Sequence, residues 1–147
     1  MIYTEMTKKA MQIAYEAHHG QEDKGGVPYI FHPLHLAEQM DDETAVIAAL
    51  LHDVVEETDV SMKKLRKHGF SNEALEAVEL LTHRKEDSYP EYIEKLKPNP
   101  VAKKVKIADL KHNSDSSRYP GEYKKLTKKL EKYLKALETL QEEDSVI

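Results

Sequence analysis

Apolar residues recur at helical spacing along most of the chain, and no stretch alternates apolar with polar as a half-buried strand would. Met6, Ala10, Ile13, Ala14 and Ala17 fall on one face of a first helix, which Gly20 stops. Gly25, Gly26 and Pro28 interrupt any period between Gln21 and Phe31, which therefore reads as a loop. Pro33 suits the start of a short helix ending near Met40. Asp41 or Asp42 then caps a helix whose centre, Ala45 to Leu51, is apolar all round and is expected to be buried. Ser61 caps a short helix that Gly69 ends, and Ser71 caps another running to about Leu81. Pro90, after Ser88 and Tyr89, and Pro100, after Asn99, mark two more helix starts. Val101, Val105, Ile107 and Ala108 give the second of these its apolar content. Pro120 opens a last long segment with Leu126, Leu130, Leu134 and Leu137 as its apolar positions. Its charged remainder, including Lys124, Lys125, Lys128, Lys129 and Lys132, reads as a solvated face. The pattern predicts an all-α, single-domain helical bundle over residues 1–147, with an irregular loop at 20–31.

Composition narrows the function classes. The chain has 147 residues, 33% of them charged and 39% hydrophobic, enough for one modest core. A formal net charge of −5 argues against sequence-independent nucleic-acid binding, which needs a clustered basic surface. The longest apolar run, Ala45 to Leu51, is far short of the roughly 18 residues a membrane-spanning helix needs. The first ten residues hold no apolar signal core, so a cytoplasmic protein is expected. With no cysteine, disulfides, thiolate catalysis and zinc-finger sites are excluded. Eight histidines remain as the reactive inventory.

The segment Leu51-His52-Asp53-Val54-Val55-Glu56-Glu57-Thr58 follows the most apolar helix of the chain. Ionisable groups placed there are costly unless they pair or bind a metal. If the helix continues, His52 and Glu56 are four apart and the acids share one side. In Tyr29-Ile30-Phe31-His32-Pro33 a histidine stands at a loop-to-helix junction. In Lys106-Ile107-Ala108-Asp109-Leu110-Lys111-His112-Asn113 an aspartate interrupts an apolar face, with Asn113 one turn on and Lys106 one turn before. The candidate ligand set is His32, His52, Asp53 and Asp109, a mixed nitrogen and oxygen set that suits Mn, Fe or Zn better than Mg or Ca.

The order His…His-Asp…Asp resembles the signature of the HD phosphohydrolase superfamily. His18-x-Gly20-Gln21, the segment Lys24 to Pro33, Ala48 to Glu56, and Lys106-x-Ala108-Asp109-x-x-His112-Asn113 resemble the hydrolase domain of RelA/SpoT-type alarmone enzymes. The resemblance implies an all-helical HD fold and Mn²⁺-dependent removal of pyrophosphate from the 3′ position of guanosine tetra- or pentaphosphate by a stand-alone hydrolase domain. On the same ground His32, His52, Asp53 and Asp109 match metal ligands, Glu56 matches the first of two catalytic acids, and Glu57 stands at the second, where aspartate is usual, keeping the carboxylate with a reach one methylene longer. Lys24 matches a phosphate-side cation and Asn113 a substrate-contacting amide. Competing expectations are another HD-type nucleotidase or phosphatase, and a regulatory module that binds metal and nucleotide without turnover.

The chain departs from the pattern at the nucleotide side. Glu22 and Asp23 precede Lys24 where arginine is usual, Leu110 occupies a place often held by arginine, and Asp115 stands where arginine is common. An intact metal centre with an altered recognition loop is therefore expected. If that loop borders the pocket, like-charge repulsion would disfavour a highly phosphorylated nucleotide. His18 is expected to fix loop geometry, His112 to be structural, and His19, His35, His68 and His83 to lie on the surface or at caps. Tyr29 is expected to fill the loop core.

Overall fold

The computed structural model describes residues 1–119 and 127–142. Among these residues the regular elements are helical, apart from one isolated bridge in a loop. Helix α1 (Glu5–Ala17) starts on Thr4, whose hydroxyl accepts from the Thr7 amide while Thr7 caps Thr4 in return. Helix α2 (Phe31–Glu38) begins two residues before Pro33, which still lies in the first turn where no amide hydrogen is needed. Asp42 caps α3 (Glu43–Leu51) by accepting from Ala45 at 2.8 Å. Ser61, Ser71, Ser88 and Asn99 cap α5 (Met62–Lys67), α6 (Asn72–Leu81), α7 (Tyr89–Leu96) and α8 (Pro100–Asn113) respectively. A short turn of 3₁₀ helix, Ser116–Arg118, follows α8. Helix α9 (Thr127–Gln141) packs on α7 and α8.

Helix α3 is the axis of the bundle. Every residue from Ala45 to Leu51 is buried, and α1, α2, α6 and α8 pack around it. A helix apolar on all sides demands neighbours on all sides, and this requirement sets the arrangement of the other helices. Among the described residues, no helix is long and apolar enough to cross a membrane.

The structure departs from the expected pattern in two places. Helix α3 does not continue through the acids: it ends at Leu51, and a separate turn, α4 (Val54–Glu57), carries Glu56 and Glu57. The cause is local. The His52 ring donates through Nδ1 to the carbonyl of Ala49 at 2.7 Å, capping the helix with its own side chain. In α9 the inward positions are Ala136 and Leu140, with Leu130, Tyr133 and Leu137 partly covered, whereas Leu134 is 57% exposed. Leu134 stands four after Leu130 and three before Leu137, at the edge of the apolar stripe, while the side that faces the bundle is centred nearer Ala136 and Leu140. Pro120, Lys124, Lys125 and Leu126 lie outside the described residues.

The loop between α1 and α2 is pinned rather than loose. The Asp23 amide donates to Val27 O at 2.8 Å, and Tyr29 N–H donates to Gln21 O at 2.8 Å. The Asp23 carboxylate accepts from the Gly25 and Val27 amides at 2.8 and 3.0 Å, and from Arg118 at 3.0 Å. A side chain at position 25 would bring a Cβ within 2.5 Å of the Arg118 carbonyl oxygen, so the close approach requires glycine. Asp23 is thus paired with Arg118 and spent on the loop backbone, which offsets the repulsion expected from it, while Glu22 beside it is exposed. His18 does fix the loop: it donates from Nδ1 to Gln21 Oε1 at 2.8 Å, and Gln21 donates to Glu57 O at 3.0 Å.

Two outcomes follow from this packing. Leu50→Ala, at a fully buried position, is expected to cost about 2–5 kcal/mol in urea unfolding. A loss well under that range would mean that α3 is not the tightly packed axis. Asp23→Ala is expected to release the loop, seen as faster hydrogen exchange at the Gly25 and Val27 amides with exchange in α3 unchanged. Unaltered exchange at those two amides would show that the carboxylate does not hold the loop.

Candidate metal centre

Three helix ends meet at one buried point. His32 comes from the first turn of α2, His52 and Asp53 from the break after α3, and Asp109 from the last turns of α8. One ligand atom from each lies within 4.8 Å of the others. His32, His52 and Asp109 are buried, and Asp53 is half-buried. The four residues singled out by sequence are therefore brought together.

The hydrogen bonds fix how each group faces. His52 Nδ1 is committed to Ala49 O, which leaves Nε2 as the ring atom that faces the carboxylates. That nitrogen is buried without a hydrogen-bond partner, although it lies 3.0 Å from Asp53 Oδ2 and 3.4 Å from Asp109 Oδ1. His32 Nε2 lies 2.8 Å from Asp109 Oδ1, and its Nδ1 lies 2.7 Å from Nδ1 of His112. Lys106 donates to Asp109 Oδ2 at 2.9 Å, and Asn113 donates to Oδ1 at 3.0 Å. The Tyr29 hydroxyl donates to Asp53 Oδ2.

The charges point the same way. Burial alone would raise Asp109, but the Lys106 ammonium and the two imidazoles hold it well below the usual carboxylate range. Burial opposes charge on Asp53 too, yet His52 holds it at about 2. Burial would lower the His52 ring, and Asp53 and Asp109 outweigh it, keeping its pKa well above the ordinary value. Two ionised carboxylates beside Nε2 thus favour a positive charge there, which a proton or a divalent cation supplies. A buried unpartnered imidazole nitrogen beside a second imidazole and two carboxylates fits a divalent metal ion of the Mn, Fe or Zn type.

A cavity of about 440 Å³ opens next to this centre. Glu56 and Glu57 stand at it, with the Glu56 carboxylate accepting from the His83 amide at 2.7 Å. Burial first, then the charges of Asp53 and Glu56, raise Glu57 above the ordinary glutamate value. Lys24, Asn113 and Arg118 line the same cavity.

Sequence reasoning missed several of its walls. Lys129 and Lys132, expected on a solvated face, line the cavity from α9. His83, expected at the surface or a cap, lines it too, oriented by a bond from Nε2 to Asp87 O at 2.8 Å. Tyr29 does more than fill the loop core, since it lines the cavity and binds Asp53. His112, expected to be structural, touches a candidate ligand directly. A lysine repeating at helical spacing carries no mark of its partner, whereas the His112 contact joins residues 32 and 112 across two helices.

Comparison with known proteins places this arrangement among others. A family model described as HD domain matches residues 10–112. A guanosine-3′,5′-bis(diphosphate) 3′-pyrophosphohydrolase of Borreliella burgdorferi is 34% identical over 132 residues, covering 76% of this chain and 19% of that protein. One of the same name from Aquifex aeolicus is 40% identical over 85 residues, covering 54% of this chain and 12% of that protein. A GTP pyrophosphokinase of Streptomyces coelicolor is 32% identical over 125 residues, covering 76% and 15%. The chain thus spans about a fifth or less of the length of these curated relatives. The solved structure of a metazoan ortholog of SpoT that hydrolyzes ppGpp superposes with a TM-score of 0.81, covering 99% of this chain and 90% of that one at 23% identity, a likeness of fold. With the family model spanning the loop and helices α2 to α8 that carry the two histidines and two aspartates, the chain belongs to the HD domain family.

Proposed function

We propose that the chain is a metal-dependent phosphohydrolase that removes pyrophosphate from the 3′ position of guanosine tetra- or pentaphosphate, with Mn²⁺ as its ion. The observation that carries this reading is the buried, unpartnered His52 Nε2 beside His32, Asp53 and Asp109, at the edge of a cavity walled by acids and lysines. The names of the relatives give the substrate class.

His32, His52, Asp53 and Asp109 would hold the ion. When bound, such an ion acidifies a water and polarises a phosphoryl oxygen. Glu56, held in place by the His83 amide, takes the proton of the attacking water. Glu57, with its raised pKa, is suited to carry a proton to the departing 3′ oxygen as the bond from that oxygen to phosphorus breaks. Water and the tetraphosphate then balance as pyrophosphate and guanosine diphosphate. Asn113 orients the nucleotide, its amide already positioned by Asp109.

The rest of the cavity favours a polyanion. Contact with the Lys129 amine, with partial burial and the charge of Lys129, pushes Lys24 down to about 8. Two ammonium groups in contact are unfavourable until an anion lies between them. Lys132 stands over the Tyr89 ring at 4.0 Å, adding a cation beside an aromatic face. With Asp23 tied to Arg118, these lysines are closer to setting the balance at the nucleotide side than the acidic pair in the loop.

Glu56→Gln is expected to bind Mn²⁺ as the parent does while lowering pyrophosphate release about a hundredfold or more, whereas Asp53→Ala loses Mn²⁺ binding by calorimetry. Equal turnover by the glutamine variant would remove Glu56 from the reaction. Phosphate released from nucleoside monophosphates instead would favour a nucleotidase, and Mn²⁺ binding without any turnover would favour a regulatory module.

The lysine pair generates a pH dependence. Lys24 is charged below about 8 and loses its proton above that point, and an anion binds the charged form. KM for the tetraphosphate is therefore expected to rise as pH passes about 8. Lys129→Ala removes the neighbour that depresses Lys24, so the rise should move to higher pH. A KM flat from neutral to alkaline pH in the parent would show that Lys24 does not meet the substrate.

A further inference from the structure

The imidazole of His112 belongs to α8 and is partly exposed, one residue before Asn113. Its Nδ1 lies 2.7 Å from Nδ1 of His32, the ring nitrogen pointing away from the candidate metal centre. The two rings are parallel within 5° with centroids 5.0 Å apart. A nitrogen–nitrogen distance this short between parallel rings is that of an in-line N–H···N bond rather than of face-to-face stacking. On its other side His112 stacks on His35, with centroids 4.1 Å apart, and Arg118 donates to the His112 carbonyl at 2.8 Å.

Only one of the two Nδ1 atoms can carry the hydrogen. If His32 offers Nε2 as a bare nitrogen to a metal ion, its remaining proton sits on Nδ1, and His112 has to accept. We infer that His112 is a positioning residue for the metal centre: when a metal ion takes the place of the proton that His32 Nε2 shares with Asp109 Oδ1, His112 accepts from His32 Nδ1 and holds the ring with Nε2 aimed at the ion. It does for His32 what the Ala49 carbonyl does for His52, so each candidate imidazole ligand is oriented through its other nitrogen. The difference is that Ala49 offers a backbone oxygen, which no substitution removes, whereas the acceptor for His32 is a side chain. The inference rests on the ligand set proposed above, not on the substrate.

The test compares two amides of like polarity. The side-chain oxygen of asparagine stands the same number of bonds from the backbone as Nδ1 of histidine, and that of glutamine stands one bond further. His112→Asn is therefore expected to bind Mn²⁺ close to the parent affinity, while His112→Gln binds it about tenfold to a hundredfold more weakly by calorimetry. In ¹⁵N spectra of the Zn²⁺-loaded parent, Nδ1 of His32 should be protonated and Nδ1 of His112 bare. A folded glutamine variant with parent Mn²⁺ affinity would overturn the inference. So would a proton on Nδ1 of His112 in the loaded parent, a result that does not depend on any variant folding. Mn²⁺ affinity unchanged in Asp109→Asn would instead bring down the ligand set itself, and the inference with it.

Discussion

The buried carboxylate of Asp109 is the point on which the rest of the site depends. A carboxylate taken out of water is costly unless its oxygens are paired, and its side chain here is only 5% exposed. Its hydrogen-bond partners are His32 from α2 and Lys106 and Asn113 from α8 itself, with His52 Nε2 from the end of α3 lying 3.4 Å away outside hydrogen-bonding geometry. Satisfying one charge therefore brings three helices together at one place. It does so while leaving His52 Nε2 without a hydrogen-bond partner, the feature that makes this polar network a candidate ligand set. Stability and coordination are in tension there. The surrounding apolar helices, α3 above all, offset the cost through burial.

Around that centre different segments carry different groups. The candidate ligands sit at helix ends backed by the packed core, which keeps their geometry narrow. The cavity walls come from elsewhere: the loop at 20–31, the short turn α4, and α9. Arg118 links two of these regions by holding Asp23 in the loop and the His112 carbonyl at the end of α8. Charges of both signs line the cavity, with Lys106 on Asp109 at the inner end and Lys24, Lys129 and Lys132 beside Glu22 and Asp23 further out.

Much of this could be read from residue types and spacing. The helix starts at Ser61, Ser71, Ser88 and Asn99 were legible because each cap is a local contact between a side chain and an amide three residues on. The burial of Ala45 to Leu51 was legible because an apolar run without a polar face admits no other place in a bundle. The four candidate ligands were legible because ionisable groups interrupting apolar stretches need a reason to be there. What escaped were the break after Leu51 and the exposed side of Leu134. The first turns on one histidine ring reaching back to a carbonyl, and the second on which neighbours α9 meets.

The sequence by itself determined the helices, the central position of α3 and the identity of the residues that could bind a metal, because all three depend on properties carried by a residue and its near neighbours. Only the tertiary structure decided what those groups face. Asp23 turns from a repulsive charge into a backbone clasp because Arg118, distant in the chain, lies 3.0 Å away. Lys129 becomes a cavity wall because α9 packs across α7 and α8, bringing it against Lys24. His112 meets His32 because α2 and α8 pack on each other with their ends in register. In each case the role is set by a contact between residues far apart in the chain, and such contacts exist only once the core has packed.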